Sequence, residues 1–298
     1  MSGQRVLVTG ADGLVGTHLS LVLEESGHEV VRWVFAKDIP GHSRVDVRDR
    51  ETVIDALQDI DAVVHLAAIT VESEMARDHS LGFDVNIGGT ANVLEAMRRR
   101  DVQRIVYLSS QVVYGNRPGI DEDDLSSIEP LSPYAESKYL AEELVRGYGR
   151  AYGIDITVLR SSHIYGPGQR SGALVPLFLH RVLEGSEVRY GNDVTRDLIY
   201  VVDVARAISA ILPGAPSGLY NVGTGIETRI SDLIDTLAKV SGKQVSRVHD
   251  RSLIRDNALE RWRELAKIDR ITDEVGWKPQ TSLEDGLRRL LKHINDDA

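Results

Sequence analysis

The stretch Arg5-Val-Leu-Val-Thr9, followed by Gly10-Ala-Asp-Gly13-Leu-Val-Gly16 and then THLSLVLEESG, joins an apolar β-branched run to three glycines and an amphipathic segment. A strand that turns sharply into a helix brings unpaired backbone N–H groups and the positive end of the helix dipole to one point. Glycines there let backbone approach a diphosphate. The spacing is GxxGxxG rather than GxGxxG, and glycines alone are a weak signal. Their position between strand and helix is what gives them weight. Gly10, Gly13, Leu14, Val15 and Gly16 are therefore the candidate dinucleotide-binding turn.

Outward from this turn, short apolar runs alternate with helical patterns: HEVVRWV, ETVIDALQDI, DAVVHLAA, GTANVLEAMRRR and RIVYLSS. Strands that read as continuous apolar runs are buried on both faces, and helices between them supply the crossovers of a parallel sheet. The expected fold class is α/β, a doubly wound parallel sheet. DITVLRS and DLIYVV are expected to extend the same sheet. Gly, Pro and Trp punctuation elsewhere marks a smaller, interleaved C-terminal lobe. The expected division is residues 1–162 plus about 197–222 for dinucleotide binding, and 163–196 plus 223–298 for substrate.

The 298 residues carry a formal net charge of −10, which argues against a broad footprint for nucleic acid or an anionic membrane. The absence of cysteine excludes disulfides, thiolate nucleophiles and Cys-ligated zinc. No apolar run approaches the roughly 20 residues that span a bilayer. The chain enters an apolar strand almost at once without a secretory leader pattern, so the expected location is cytoplasmic. The nine histidines never stand three or four residues apart, so no helical metal face is visible and no metal is expected. No G-x-S-x-G elbow is present.

An acid near the end of the second strand would hold the adenosine ribose hydroxyls, yet Val34 stands where it is expected. Arg32 or Lys37 would suit a 2′-phosphate, and Arg32 would equally suit solvent on the other side. NAD and NADP both stay open. Asp46 and Val47, in SRVDVRD, end the next strand, where they meet either the adenine or an ordinary turn.

Ser109 and Ser110 end the buried run RIVYLSS, and Tyr134-Ala-Glu-Ser-Lys138 follows 24 residues after Ser110. In a helix, positions i and i+4 share one face. A phenol with a pKa near 10 is a poor base at neutral pH. An ammonium one turn away favours the phenolate, and a strand-end hydroxyl beside a nucleotide can bond the reacting oxygen. Tyr-x-x-x-Lys by itself is common on helices. The order glycine turn, serine, tyrosine, lysine turns Ser110, Tyr134 and Lys138 into a candidate catalytic set, with Tyr134 and Lys138 also candidate cofactor contacts, Lys138 at the nicotinamide ribose.

These residues, with TGADGLVG, DAVVHLAA, FDVNIGGT, SSQVVYG, YAESK, YGPGQ, RDLIYVVDVARA, YNVGTG and IDRITDEVGWKPQTSLEDGL, resemble the extended short-chain dehydrogenase/reductase superfamily. Within it, they resemble the nucleotide-sugar epimerase/dehydratase family, of UDP-glucose 4-epimerase type. The resemblance covers nearly the whole chain. It implies a Rossmann-type fold, the catalytic set Ser110, Tyr134 and Lys138, and the cofactor turn. It also implies Asp46 and Val47 at adenine, Ala67 and Asn86 near the cofactor, and a nucleotide-sugar substrate. A homodimer through helices near 89–100 and 134–152 is implied too, although their apolar pattern would equally serve the core.

Dehydratases and decarboxylases of this family resemble one another in a carboxylate two residues after the catalytic Ser or Thr. Here that position is Val112, as in 4-epimerases. The resemblance therefore implies 4-epimerisation through transient C4 oxidation. A 4-keto-sugar-nucleotide reductase or a sugar dehydrogenase would use the same three residues, and the missing ribose acid supports it. A non-catalytic dinucleotide sensor is the reading of a different class, and the intact Ser-Tyr-Lys set argues against it. Arg196 matches the family's diphosphate-contacting arginine, suited to bidentate recognition, or else pairs with Asp193 or Asp197. Arg255 is a second candidate. His163 stands where the family usually has Asn near the substrate phosphates.

Overall fold

The computed structural model describes residues 3–35, 38–70, 72–124, 128–185, 187–254 and 263–296. The first half runs β1 (Arg5–Thr9), α1 (Leu14–Glu25), β2 (Glu29–Val34), β3 (Ser43–Arg44), α2 (Arg50–Ala56) and β4 (Ala62–His65). It continues with α3 (Glu72–Arg77), α4 (His79–Phe83), a π-helical turn (Asp84–Gly88), α5 (Gly89–Arg99), β5 (Arg104–Ser110) and α6 (Pro133–Tyr152). Then come β6 (Asp155–Ser161), β7 (His163–Tyr165), α7 (Leu174–Glu184), β8 (Glu187–Tyr190), β9 (Thr195–Arg196) and β10 (Leu198–Tyr200). The rest is α8 (Val201–Ile211), β11 (Gly218–Val222), β12 (Thr228–Arg229), α9 (Ile230–Ser241), β13 (Ser246–His249), α10 (Asp269–Val275) and α11 (Leu283–Asp296).

Seven strands form one sheet in the order β11-β6-β5-β4-β1-β2-β3, and every pairing in it is parallel. Order reverses between β1 and β4, which opens a crevice at their carboxyl ends. One apolar layer packs α1 and α8 on the sheet through Leu19, Leu23, Val204 and Ile208. The opposite layer packs α2, α5 and α6 through Val53, Val93, Leu94 and Val145. Each such buried aliphatic side chain contributes about 1.5–3 kcal/mol of transfer free energy. A third cluster, including Val175, Leu179, Leu233, Ile234 and Leu287, gives the C-terminal lobe its own core.

Two expectations change. Leu198–Tyr200 does not join the main sheet. It pairs in parallel with β7 in a separate two-stranded sheet, and Val201 already begins α8. The seventh strand is β11, which occupies β6 from Thr157 to Ser161 and leaves no free edge there for the three-residue β10. Asp46 and Val47 lie beyond β3 rather than within it, because pairing to β2 ends at Arg44. Among the described residues no helix is long and apolar enough to cross a membrane.

Candidate active site

Gly10 has φ of +66°, and a Cβ there would lie 3.0 Å from both the Cα and the N of Ala67. A Cβ on Gly16 would lie 2.3 Å from the Gly10 carbonyl oxygen, so turn and helix touch backbone to backbone. Gly13 caps α1 with no side-chain hydrogen bond, and the first turn carries no acid. The N–H groups at Leu14 and Val15 therefore face no carboxylate of their own helix, an arrangement that fits a dinucleotide diphosphate.

At the adenosine end, Val34 is buried. Arg32 turns away: its Nη2 lies 2.6 Å from Glu24 Oε1 on α1. Lys37 lies outside the described residues. Asp46 accepts from Arg48 Nε at 3.0 Å, and this contact holds its carboxyl below the usual range. The Arg48 guanidinium in turn sits 5.6 Å from the ring centroid of Phe35, which is exposed. Asn92 Nδ2 donates to the Val47 carbonyl at 2.9 Å, fixing this loop to α5.

Ser110 closes β5, and its Oγ accepts from Val112 N at 3.4 Å, capping the short 3-10 turn Gln111–Tyr114. Ser132 caps α6 by accepting from Ala135 N at 3.1 Å, with Pro133 at the first helical position, so Tyr134 enters on the first turn. Lys138 Nζ donates to the Leu108 carbonyl at 2.6 Å and lies 4.3 Å from the Tyr107 ring centroid. Burial pushes the Lys138 ammonium down to about 7, against the opposing pull of Glu142. Serine, tyrosine and lysine thus belong to one strand end and the helix laid across it.

Asn86 sits in the π-helical turn with its amide tethered: Oδ1 accepts from Ile69 N at 2.7 Å, and Nδ2 donates to Ile69 O at 3.0 Å and Ser137 Oγ at 2.9 Å. Ser137 Oγ donates to the Tyr134 carbonyl at 2.7 Å. Sequence reasoning did not find the members that connect this to the glycine turn. Thr90 Oγ1 donates to Asn86 O at 2.6 Å, so it must accept from His65 Nε2 at 3.0 Å. His65 Nδ1 then accepts the Thr9 hydroxyl at 2.7 Å, and Thr9 Oγ1 accepts from Leu66 N and Ala67 N, each at 3.1 Å. Burial, reinforced by Lys138, holds the imidazole down to about 3, so His65 is neutral with its proton on Nε2. The only sequence signal was a polar residue inside the apolar run DAVVHLAA.

On the lobe side, His163 opens β7 and Arg196 closes β9. Loss of water and the Arg196 charge push the partly buried His163 down to about 4. Asp193 accepts from Ser231 N at 2.8 Å, and Asp197 accepts from Thr224 N at 2.8 Å and Ala266 N at 3.0 Å. Arg196 Nη1 donates to the Thr195 carbonyl at 3.0 Å. Glu264, also missed from sequence, is buried beside this group, and burial raises its carboxyl to about 8 despite Arg196. Arg255 lies outside the described residues.

Residues 6–223 match the model of the NAD dependent epimerase/dehydratase family. The chain is 32% identical to a GDP-6-deoxy-D-mannose reductase of Pseudomonas aeruginosa, over 97% of this chain and 96% of that one. It superposes on a Thermus thermophilus UDP-glucose 4-epimerase solved with NAD, with TM-score 0.85, 30% identity and coverage of 99% and 100%. RMD from Pseudomonas aeruginosa, solved with NADPH, matches equally, with TM-score 0.85, 30% identity and the same coverage. With a glycine turn between β1 and α1, a serine closing β5 and a tyrosine and lysine on α6, these matches make the chain an enzyme of the extended short-chain dehydrogenase/reductase type, a member of the NAD dependent epimerase/dehydratase family.

Proposed function

We propose that the protein is a nucleotide-sugar 4-epimerase working through Ser110, Tyr134 and Lys138. The observation that carries this reading is the turn after Ser110: it runs Gln111, Val112, Val113 and Tyr114, with no carboxylate to serve an elimination. Epimerisation needs one proton-transfer group only. Tyr134 takes the C4 hydroxyl proton, Ser110 hydrogen-bonds the oxygen as it becomes a carbonyl, and Lys138 favours the phenolate by its charge. When bound, a nicotinamide dinucleotide would supply reversible hydride transfer at C4, while the chain's own residues handle the proton. Tyr134 gives the proton back in the second half, so neither protons nor electrons accumulate.

Gly10, Gly13, Leu14, Val15 and Gly16 cradle the cofactor diphosphate in this reading, with Asp46 and Val47 at its adenine end and Ala67 and Asn86 along its path. Arg196 and His163 receive the diphosphate of a nucleotide sugar, a group that suits a guanidinium. The substrate lies between the sheet and the C-terminal lobe. Two copies associate through α5 and α6, where Leu140 and Tyr152 are exposed.

A second reading, an NADPH-dependent 4-keto-sugar-nucleotide reductase, is favoured by Val34 in place of a ribose-binding acid. Mass analysis of dinucleotide released on denaturing the purified protein separates the two. Stoichiometric NAD, followed by interconversion of UDP-glucose and UDP-galactose, is the expected result. An empty protein that binds NADPH more tightly than NADH overturns the epimerase reading. Firm cofactor binding without turnover of any sugar nucleotide makes the protein a sensor.

A further inference from the structure

Tyr134, Lys138 and Glu142 stand on successive turns of one face of α6. Lys138 holds the Leu108 carbonyl, and the Glu142 carboxylate accepts the hydroxyl of Ser109, the neighbour of Ser110. Glu142 is fully buried, as is its partner Arg160 on β6. Arg160 grips it through two nitrogens, Nη2 to Oε2 at 2.6 Å and Nε to Oε1 at 3.0 Å. The guanidinium lies 4.6 Å from the ring centroid of Tyr114, which ends the turn that Ser110 begins. Tyr114 donates its hydroxyl to Asn221 Oδ1 at 2.9 Å on β11.

A buried ion pair is poor evidence for stability, since desolvating two charges cancels most of their attraction. This pair lies next to the candidate catalytic lysine, one helical turn along. We propose that Glu142, clasped by Arg160 and Ser109, is a positioning residue for the Ser110-Tyr134-Lys138 set: it anchors α6 to β5 and supplies the negative field that keeps the Lys138 ammonium charged. The proposal rests on the assignment of those three residues.

Among the described residues, the titratable and charged groups facing Lys138 come from three elements. Tyr134 and Glu142 flank it on α6, the Tyr107 ring lies against it from β5, and neutral His65 approaches from β4. Tyr107 stays protonated because burial, helped by Glu142 and Tyr134, raises its phenol well above the usual value. Arg160 contacts the Glu142 carboxylate through Nε and Nη2. Among these groups Glu142 is the one whose charge pulls the ammonium upward.

The test is the titration midpoint of Lys138, read by NMR on protein carrying 13Cε-lysine, with the resonance assigned by its loss in Lys138→Met. Glu142→Gln removes the carboxylate and leaves the Arg160 cation, so the midpoint falls by about one pH unit. Arg160→Met leaves the carboxylate uncompensated, so the midpoint rises by about the same amount. A role limited to packing gives no reason for opposite signs. Ser109→Ala, which keeps the ion pair and should fold readily, strips one hydrogen bond from the carboxylate and raises the midpoint by a smaller amount. Glu143→Gln, on a neighbouring face of α6, leaves it unchanged. Midpoints that stay at the wild-type value in Ser109→Ala and in whichever charge variant folds overturn the proposal. The titration needs no turnover, so it can succeed where the epimerase reading fails, and the reverse.

Discussion

The Lys138 ammonium donates to the carbonyl oxygen of Leu108 at 2.6 Å, two residues before Ser110 on the same strand. Burial that brings its pKa from the ordinary lysine value to about 7 makes the folded protein bind fewer protons than the unfolded chain between pH 7 and about 10.5. Stability therefore rises with pH across that window, and the penalty is fully present below it. Lys138→Met removes this dependence. Its stability relative to wild type should be greater at pH 7 than at pH 10, by on the order of 2–4 kcal/mol, in urea unfolding at the two pH values. A difference independent of pH would contradict the buried-charge account.

His65 predicts the acid side. Its imidazole is neutral when folded, at about 3, and near 6.5 when unfolded, so the unfolded chain takes up protons first as pH falls. The stability this gives is complete above about pH 6.5 and is lost progressively towards pH 3. In His65→Gln the amide can accept from Thr9 and donate to Thr90 without titrating. Melting temperatures measured from pH 7 to pH 4 should fall less steeply in the variant than in wild type.

Tyr134→Phe keeps the ring and the helix but removes the proposed proton carrier. Sugar-nucleotide turnover should drop at least about a thousandfold, while dinucleotide affinity measured by calorimetry stays within about threefold. Ser110→Ala, which loses the cap and the proposed hydrogen bond to the reacting oxygen, should cost about a hundredfold. Comparable loss of cofactor affinity in Tyr134→Phe would point to a structural part instead.

Arg32 was an attractive partner for a 2′-phosphate as long as only the sequence was considered. Its ion pair with Glu24 places it on the α1 face of β2. Arg32→Ala should leave the ratio of NADPH to NADH affinity within about twofold and reduce stability by no more than about 1 kcal/mol, as for a partly exposed pair. A selective loss of NADPH affinity in the fluorescence titration would restore Arg32 to the cofactor site.

The parts legible in the sequence were those governed by local rules. Gly10 and Gly16 announced a turn because a side chain at either would meet backbone, with Gly13 between them as the helix cap. Apolar runs broken by helical periods announced a parallel sheet, and Tyr134 and Lys138 announced a shared face because helices repeat every 3.6 residues. The fold class and the family followed from these. Long-range register was beyond such rules. β2 is covered on both sides, so its sequence lacks the alternation that would have shown which way Arg32 points. Whether β10 or β11 filled the seventh place depended on which strand could pair along the full edge of β6. The partners of His65, Thr9 and Thr90, are 56 and 25 residues away, and Glu142 meets Ser109 and Arg160 across 33 and 18. Folding alone brings such groups together in a dry interior, where a buried polar atom must find a partner or shift its ionisation. The sequence determined the parallel sheet, the glycine turn and the candidate catalytic set; the tertiary structure decided how those residues are held and charged.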